Sequence, residues 1–152
     1  MTYWDSSAII PLVVDEATST ICRGLLREDE AVATWTLTQT EIASSLRRKE
    51  REGRVSGEDV DSALARLAAL AASWMTVESV AQVKARALRV LASHPLRAAD
   101  ALQLAAALVA SEDQPQDWWF ISRDIQLRDA ARREGFKVWR IEVGAPLPGS
   151  PG

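Results

Sequence analysis

One cysteine, Cys22, and one histidine, His94, are all this 152-residue chain has of the residues that build disulfides and zinc sites. A lone cysteine excludes an intramolecular disulfide and agrees with a reducing compartment. With a single histidine beside it, a Cys/His zinc site is excluded on ligand count. Long apolar runs are missing too. Charges interrupt every hydrophobic stretch before the roughly 20 residues that a membrane helix needs, and "MTYWDSSAII" has neither the basic start nor the apolar core of a secretion signal. The chain is therefore expected to be cytoplasmic, with no membrane partner. An excess of positive charge is also absent. A net charge of −3 argues against a protein that coats nucleic acid without discrimination. Any catalysis has to run on carboxylates.

What is present is an ordinary globular composition, 47% hydrophobic and 26% charged, at a length that suggests one domain. Short runs rich in Val, Ile, Thr and aromatics occur at "TYW", "AVATW", "WMTV", "WWFIS" and "FKVWRI". Between them apolar residues recur at helical spacing, as in Val60, Leu64, Leu67 and Ala71, or Val80, Val83, Ala87 and Leu91. Strands alternating with helices predict an α/β fold with a parallel sheet and right-handed crossovers. Thr38 with Glu41 and Ser56 with Asp59 have capping-box spacing, and Gly135 follows "AARRE" where a helix should stop. His94, before Pro95, is expected at a surface or helix-end position. The tryptophans, Trp4, Trp35, Trp74, Trp118, Trp119 and Trp139, fall in or beside strands and are assigned to packing rather than base stacking. From Gly144 the tail "GAPLPGSPG" has the composition of a disordered segment, leaving residues 1–143 as the domain and 144–152 as a flexible end.

Four acids stand out by position. Ligands of open parallel sheets bind beyond the carboxyl ends of the strands, where the strand order reverses. Asp5 directly follows "TYW", with Ser6 and Ser7 next, and Asp124 follows "WWFIS". Glu41 opens the helix after the second strand. Asp100 opens the helix that leads towards the fourth strand, within "LRAADALQLAAAL", where only Arg97 and Gln103 are polar beside it. Each has a plain structural alternative: a capping box with Thr38 for Glu41, an N-cap for Asp124, a turn for Asp5, an Arg97 pair for Asp100. Gathered in one crevice they would repel, two carboxylates about 4 Å apart by about 4 kcal/mol at an effective dielectric of 20. Either protons or a divalent cation must offset this. An all-oxygen set favours a hard ion, magnesium or manganese, which keeps positions for water or phosphate.

The segments "YWDSSAIIPLVV", "ATWTLTQTEIASSLRR", "LRAADALQLAAAL" and "FISRDIQLRDAARREGFKV", in this order and spacing, resemble the signatures of PIN-domain ribonucleases, specifically the VapC toxins of toxin–antitoxin pairs. The resemblance implies a PIN-like three-layer fold with a five-stranded parallel sheet of order 3-2-1-4-5. It implies a magnesium- or manganese-dependent endoribonuclease whose catalytic and metal-binding acids fall on Asp5, Glu41, Asp100 and Asp124. Ser7 would lie near the metal, and Asp129 is an alternative for the fourth acid. Arg123, Arg47, Arg48 and Arg97 are candidates for RNA phosphate contacts. A VapB-like antitoxin and a homodimer are the implied protein partners. Haloacid-dehalogenase phosphatases also begin with an Asp after the first strand, but need an acid where Ser7 stands; receiver domains need a lysine at the end of the fifth strand, and Lys137 is near its start. A non-catalytic protein-binding module is the remaining alternative.

Overall fold

In the computed structural model, which describes residues 1–146, five strands form one all-parallel sheet. They are β1 (Thr2–Trp4), β2 (Val32–Trp35), β3 (Met75–Val77), β4 (Trp119–Ile121) and β5 (Lys137–Val138), in the order β3-β2-β1-β4-β5. Seven helices connect them: α1 (Ser6–Val13), α2 (Ser19–Glu28), α3 (Thr38–Arg51), α4 (Gly57–Ala71), α5 (Val80–Ser93), α6 (Ala98–Ala110) and α7 (Ile125–Arg133). This is the expected PIN-like architecture and strand order. The disordered tail expected from Gly144 falls, for residues 147–152, outside the described residues. No helix among the described residues is long and apolar enough to cross a membrane.

The three layers follow from the two-residue period of the strands. Tyr3, Ala33 and Phe120 point to one face and pack with Val83, Val90, Leu104 and Leu127 of α5, α6 and α7. Their neighbours Trp4, Val32 and Ile121 point to the other, against Ile9, Ile21, Ile42 and Val60 of α1 to α4. Because α6 carries mostly alanine and leucine, it lies flush against the sheet, and Ala101 and Gln103 to Leu108 are buried.

Three expectations change in detail. "FKVWRI" contributes only Lys137 and Val138 to the sheet, since β5 is an edge strand paired with β4 alone and Trp139 leaves the ladder to pack on Trp119. On α5 the buried stripe is Val83, Ala87 and Val90, whereas Val80 and Leu91 are exposed, because the face toward α6 is rotated toward Val90. The third concerns Thr38 and Glu41, which form no capping box. Leu37 occupies the cap position, and the Thr38 hydroxyl, already inside the first turn, accepts from the Trp35 N–H at 3.2 Å. The box at Ser56 is half made, its hydroxyl accepting from the Asp59 N–H at 3.1 Å.

Helix ends repay comparison. After α7, the Gly135 N–H donates to Arg132 O and the Phe136 N–H to Ala131 O, with Gly135 at φ +105°. After α6, the same pair of bonds runs from Glu112 to Val109 and from Asp113 to Leu108, but Glu112 holds the left-handed conformation at φ +51°. A Cβ in that region is strained where glycine is not. Glu112→Gly is therefore expected to stabilise the fold by about 0.5–1 kcal/mol, and Gly135→Ala to destabilise it by at least as much. Urea unfolding midpoints of the two variants check the contrast; a destabilised Glu112→Gly would contradict it.

Candidate active site

The strand order reverses between β1 and β4, so the carboxyl ends of these strands open a crevice. Asp5 sits at its floor, 3% exposed. Its backbone N–H donates to Ile121 O at 3.0 Å, which fixes the end of β1 against β4. Asp5 also caps α1, accepting from the Ser7 N–H at 3.3 Å, and it accepts from the hydroxyls of Ser7, Ser122 (2.8 Å) and Ser6 (3.3 Å). Burial raises the Asp5 pKa, and these donors act against that rise without cancelling it.

Glu41, freed from a capping role, turns toward Asp5. Its Oε2 accepts from the Ser6 hydroxyl at 2.9 Å and from Gln103 Nε2 at 3.2 Å. Its pKa is also raised, by burial first and then by the charge of Asp5. The Trp35 indole N–H lies near enough to favour the charged form of Glu41, yet makes no hydrogen bond of ordinary length.

Asp100 stands in the first turn of α6, half-buried. Its pKa is pushed up to about 6, by burial first, then by the charges of Asp124, Asp5 and Glu41 in that order, with Arg97 opposing. Asp124 caps α7, its Oδ1 accepting from the Leu127 N–H at 2.8 Å. The cap and the approach to Asp100 coexist, because capping uses one carboxylate oxygen. The four acids thus come from four segments and act on one another. Asp129 does not join them. It pairs with Arg132 at 2.6 Å and Arg133 at 3.0 Å on the outer side of α7.

The arginines considered for phosphate contact differ in their surroundings. Arg123 is ion-paired with Glu16, which also holds Lys49 at 2.9 Å, and its backbone N–H donates to the Ser7 hydroxyl at 2.9 Å. Arg47 is taken by Glu50 (2.8 Å) and Asp61 (2.7 Å). Arg97 stays exposed at the start of α6, near Asp100. His94 ends α5 and is buried against Glu134, Nε2 to Oε1 at 2.7 Å, remote in role from the acids.

Several participants carried no signal strong enough to be singled out from sequence. Ser122 bridges β4 to Asp5. Gln103 is completely buried and joins Glu41 to Tyr3, whose hydroxyl donates to Gln103 Oε1 at 2.7 Å. A glutamine three residues after Asp100 in an otherwise apolar helix was the available clue.

Whether a hard divalent ion suits this crevice is a question of uncompensated charge. Among the described residues no Lys or Arg forms an ion pair with Asp5, Glu41, Asp100 or Asp124, while Asp15, Asp29, Asp61 and Asp113 elsewhere are paired. Nor do any three potential ligands stand close enough to form a ready cage. The uncompensated charge and the all-oxygen donors are of the kind that a hard ion such as magnesium or manganese takes, with one or two carboxylates and retained water.

A model of the PIN domain family matches residues 2–133. No curated protein matches the chain. Among solved structures, PAE2754 from Pyrobaculum aerophilum is similar with a TM-score of 0.63 and 20% identity, covering 90% of this chain and 87% of that one. FitAcB from Neisseria gonorrhoeae is similar with a TM-score of 0.65 and 17% identity, covering 92% of this chain and 97% of that one. At these identities the two structures speak to fold alone.

Proposed function

This chain belongs to the PIN domain family, whose members are typically metal-dependent nucleases, and from that premise we propose that it is an endoribonuclease using magnesium or manganese, and the toxin of a VapBC-type toxin–antitoxin pair. The observation that carries the proposal is a set of acids from four segments at the end of β1 and β4, three of which, Asp5, Glu41 and Asp100, have raised pKa values, and none of which is ion-paired with a Lys or Arg among the described residues.

Asp5, Asp100 and Asp124 would hold the ion, with Glu41 completing its surroundings. When bound, the ion supplies the positive charge that lets an anionic phosphodiester enter an acidic crevice and polarises it. The protein's own part is to keep this geometry fixed. Ser7 and Ser122 anchor Asp5, while Ser6 and Gln103 anchor Glu41, so their carboxylates need no rearrangement when substrate arrives. Hydrolysis breaks the bond between phosphorus and the 3′ oxygen, with water adding to phosphorus and a proton passing to the leaving oxygen. The products are 5′-phosphate and 3′-hydroxyl ends.

An antitoxin segment over the crevice and a homodimer belong to the same proposal. Val80, Leu88 and Leu91, exposed along α5, and the exposed alanines of α4 are apolar surface consistent with a protein partner. Incubating total RNA with the purified protein and manganese, then mapping the ends, tests the nuclease function. New 5′-phosphate ends that depend on manganese and vanish in Asp5→Ala are expected. Identical end maps for parent and variant would refute it.

A further inference from the structure

Arg128 is out of place for a surface helix. It is only 9% exposed, yet among the described residues its side chain makes one hydrogen bond, a long one, Nη1 donating to Ser122 O at 3.4 Å. Among the described residues no carboxylate pairs with it; the adjacent Asp129 is engaged by Arg132 and Arg133. A guanidinium has five donors, and none of those on Arg128 is both buried and without a partner, so the ones that Ser122 does not take are open to an anion. Arg128 lines an open cavity of 380 Å³ together with Ile125, Arg132, Trp139, Arg140 and one carboxylate, Asp129, whose charge is met by Arg132 and Arg133; the volume is within the range of small-ligand clefts, about 300–1,000 Å³.

The place of this cavity is as telling as its lining. The turn Ser122–Asp124 separates it from the acids: the Ser122 hydroxyl donates to Asp5 while the Ser122 carbonyl accepts from Arg128. Asp124 belongs to the acid set, and Ile125, the next residue, lines the cavity and is 72% exposed. Arg132 and Arg140 reach the cavity from exposed pairs with Asp129 and Glu142. Such pairs are weak and readily exchanged for another anion. Trp139 packs on Trp119 at 5.5 Å between ring centroids and also contributes to the cavity wall. Arginines around an aromatic ring are the combination that holds single-stranded nucleic acid, charge on the backbone and stacking under the base.

We propose that this cavity is a subsite for single-stranded RNA next to the cleavage site, where Arg128 takes a backbone phosphate and Trp139 stacks a base. It rests on the nuclease function proposed above and names where the strand runs beyond the acids. The packing role assigned to Trp139 from sequence becomes a double one.

The test is fluorescence anisotropy with a labelled uridine 12-mer in calcium, over a range of salt, with cleavage of the same oligomer scored separately in manganese. Trp139→Ala should weaken binding by about 5- to 10-fold. Arg128→Gln should weaken it and reduce the slope of log affinity against log salt by about 0.7, one phosphate contact on a single strand. A general fold defect would not change the slope by one contact, and thermal stabilisation by manganese should be as in the parent for Trp139→Ala. If Arg128→Gln does not fold, the Arg132→Gln, Arg140→Gln double variant carries the slope measurement. Parent-like affinity and slope in these variants would overturn the subsite, including the case in which a protein segment occupies the cavity instead. A parent that cuts the oligomer while the variants bind it normally removes the subsite and leaves the nuclease. A parent that binds with the expected variant losses but leaves both the oligomer and total RNA intact in manganese removes the nuclease and leaves the subsite. No binding of the oligomer by the parent overturns the subsite.

Discussion

Asp100→Asn should make the metal-free protein more stable at pH 7 while reducing RNA cleavage by at least about 100-fold, the scale of loss when metal-site partners are removed. The stability gain follows from the direction of the pKa shift. In the folded chain the Asp100 carboxyl titrates at about 6, against about 3.9 for an unperturbed aspartate. The native state therefore holds this proton more tightly than the unfolded state does. Its contribution to stability is complete below about pH 4 and is lost as pH rises through about 6. Asp5 and Glu41 shift in the same direction and reinforce the trend. The full shift would correspond to about 3 kcal/mol, and because Asp100 is only half-buried, solvent screening leaves about 1–2 kcal/mol.

Asparagine has no proton to lose, so parent and variant should have similar melting temperatures at pH 4 and diverge by pH 7, the variant melting about 2–6 °C higher. Magnesium or manganese should reverse the ranking. An ion bound only by the native state adds about 2.7 kcal/mol at a hundred times its dissociation constant, and the variant forfeits most of that. Thermal melts at pH 4 and pH 7, with and without manganese, give all four values. A variant that melts with the parent at pH 7, or a difference between the two that does not grow from pH 4 to pH 7, would contradict the electrostatic origin argued for the site.

The contrast between Asp5 and Glu41 explains how far sequence could reach into this site. Asp5 follows a strand directly, and a strand end in a parallel sheet is a fixed place, so its position was legible from the alternation of strands and helices. Asp124 was legible for the same reason, and its N-cap role and its closeness to Asp100 are compatible. The Thr38–Glu41 spacing, by contrast, suggested a local pairing that competes with function, and only the fold decides between them. Helix α3 begins one residue earlier than a Thr38 cap would require, which spends the Thr38 hydroxyl on Trp35 and releases Glu41 toward Ser6 and Gln103. Arg123 shows the opposite failure. It lies beside Asp124 in sequence, yet Glu16, from the loop between α1 and α2, draws its side chain away. That contact spans over a hundred residues, and no local pattern encodes it.

Gln103→Leu should cost about 1–3 kcal/mol of stability, the usual penalty for stripping partners from buried polar groups, and lower cleavage by about 10- to 100-fold, as expected for a residue that orients a metal-site carboxylate. The reasoning turns on which way the amide faces. Glu41 needs a donor, so Gln103 must present Nε2 to it and keep Oε1 on the far side. Tyr3 favours this, because its hydroxyl donates to Oε1 at 2.7 Å in the core, while Nε2 also donates to the Thr38 hydroxyl at 3.3 Å. Burial raises the phenol pKa well above its usual value, so Tyr3 remains a donor throughout the working pH range. Tyr3→Phe removes the lock and leaves Gln103 in place. The amide can then flip and set Oε1 against the Glu41 carboxylate, so this variant should weaken manganese binding and cleavage with a stability loss smaller than that of Gln103→Leu. Gln103→Glu should be worse than Gln103→Leu at pH 7, since it adds a like charge beside Glu41, and should recover as pH falls and one of the two binds a proton. Manganese titrations followed by thermal melting, with cleavage rates at pH 5.5 and pH 7.5, separate orientation from packing. If Tyr3→Phe binds manganese as the parent does, the lock is not what holds Glu41, and Gln103 is only a well-packed core residue.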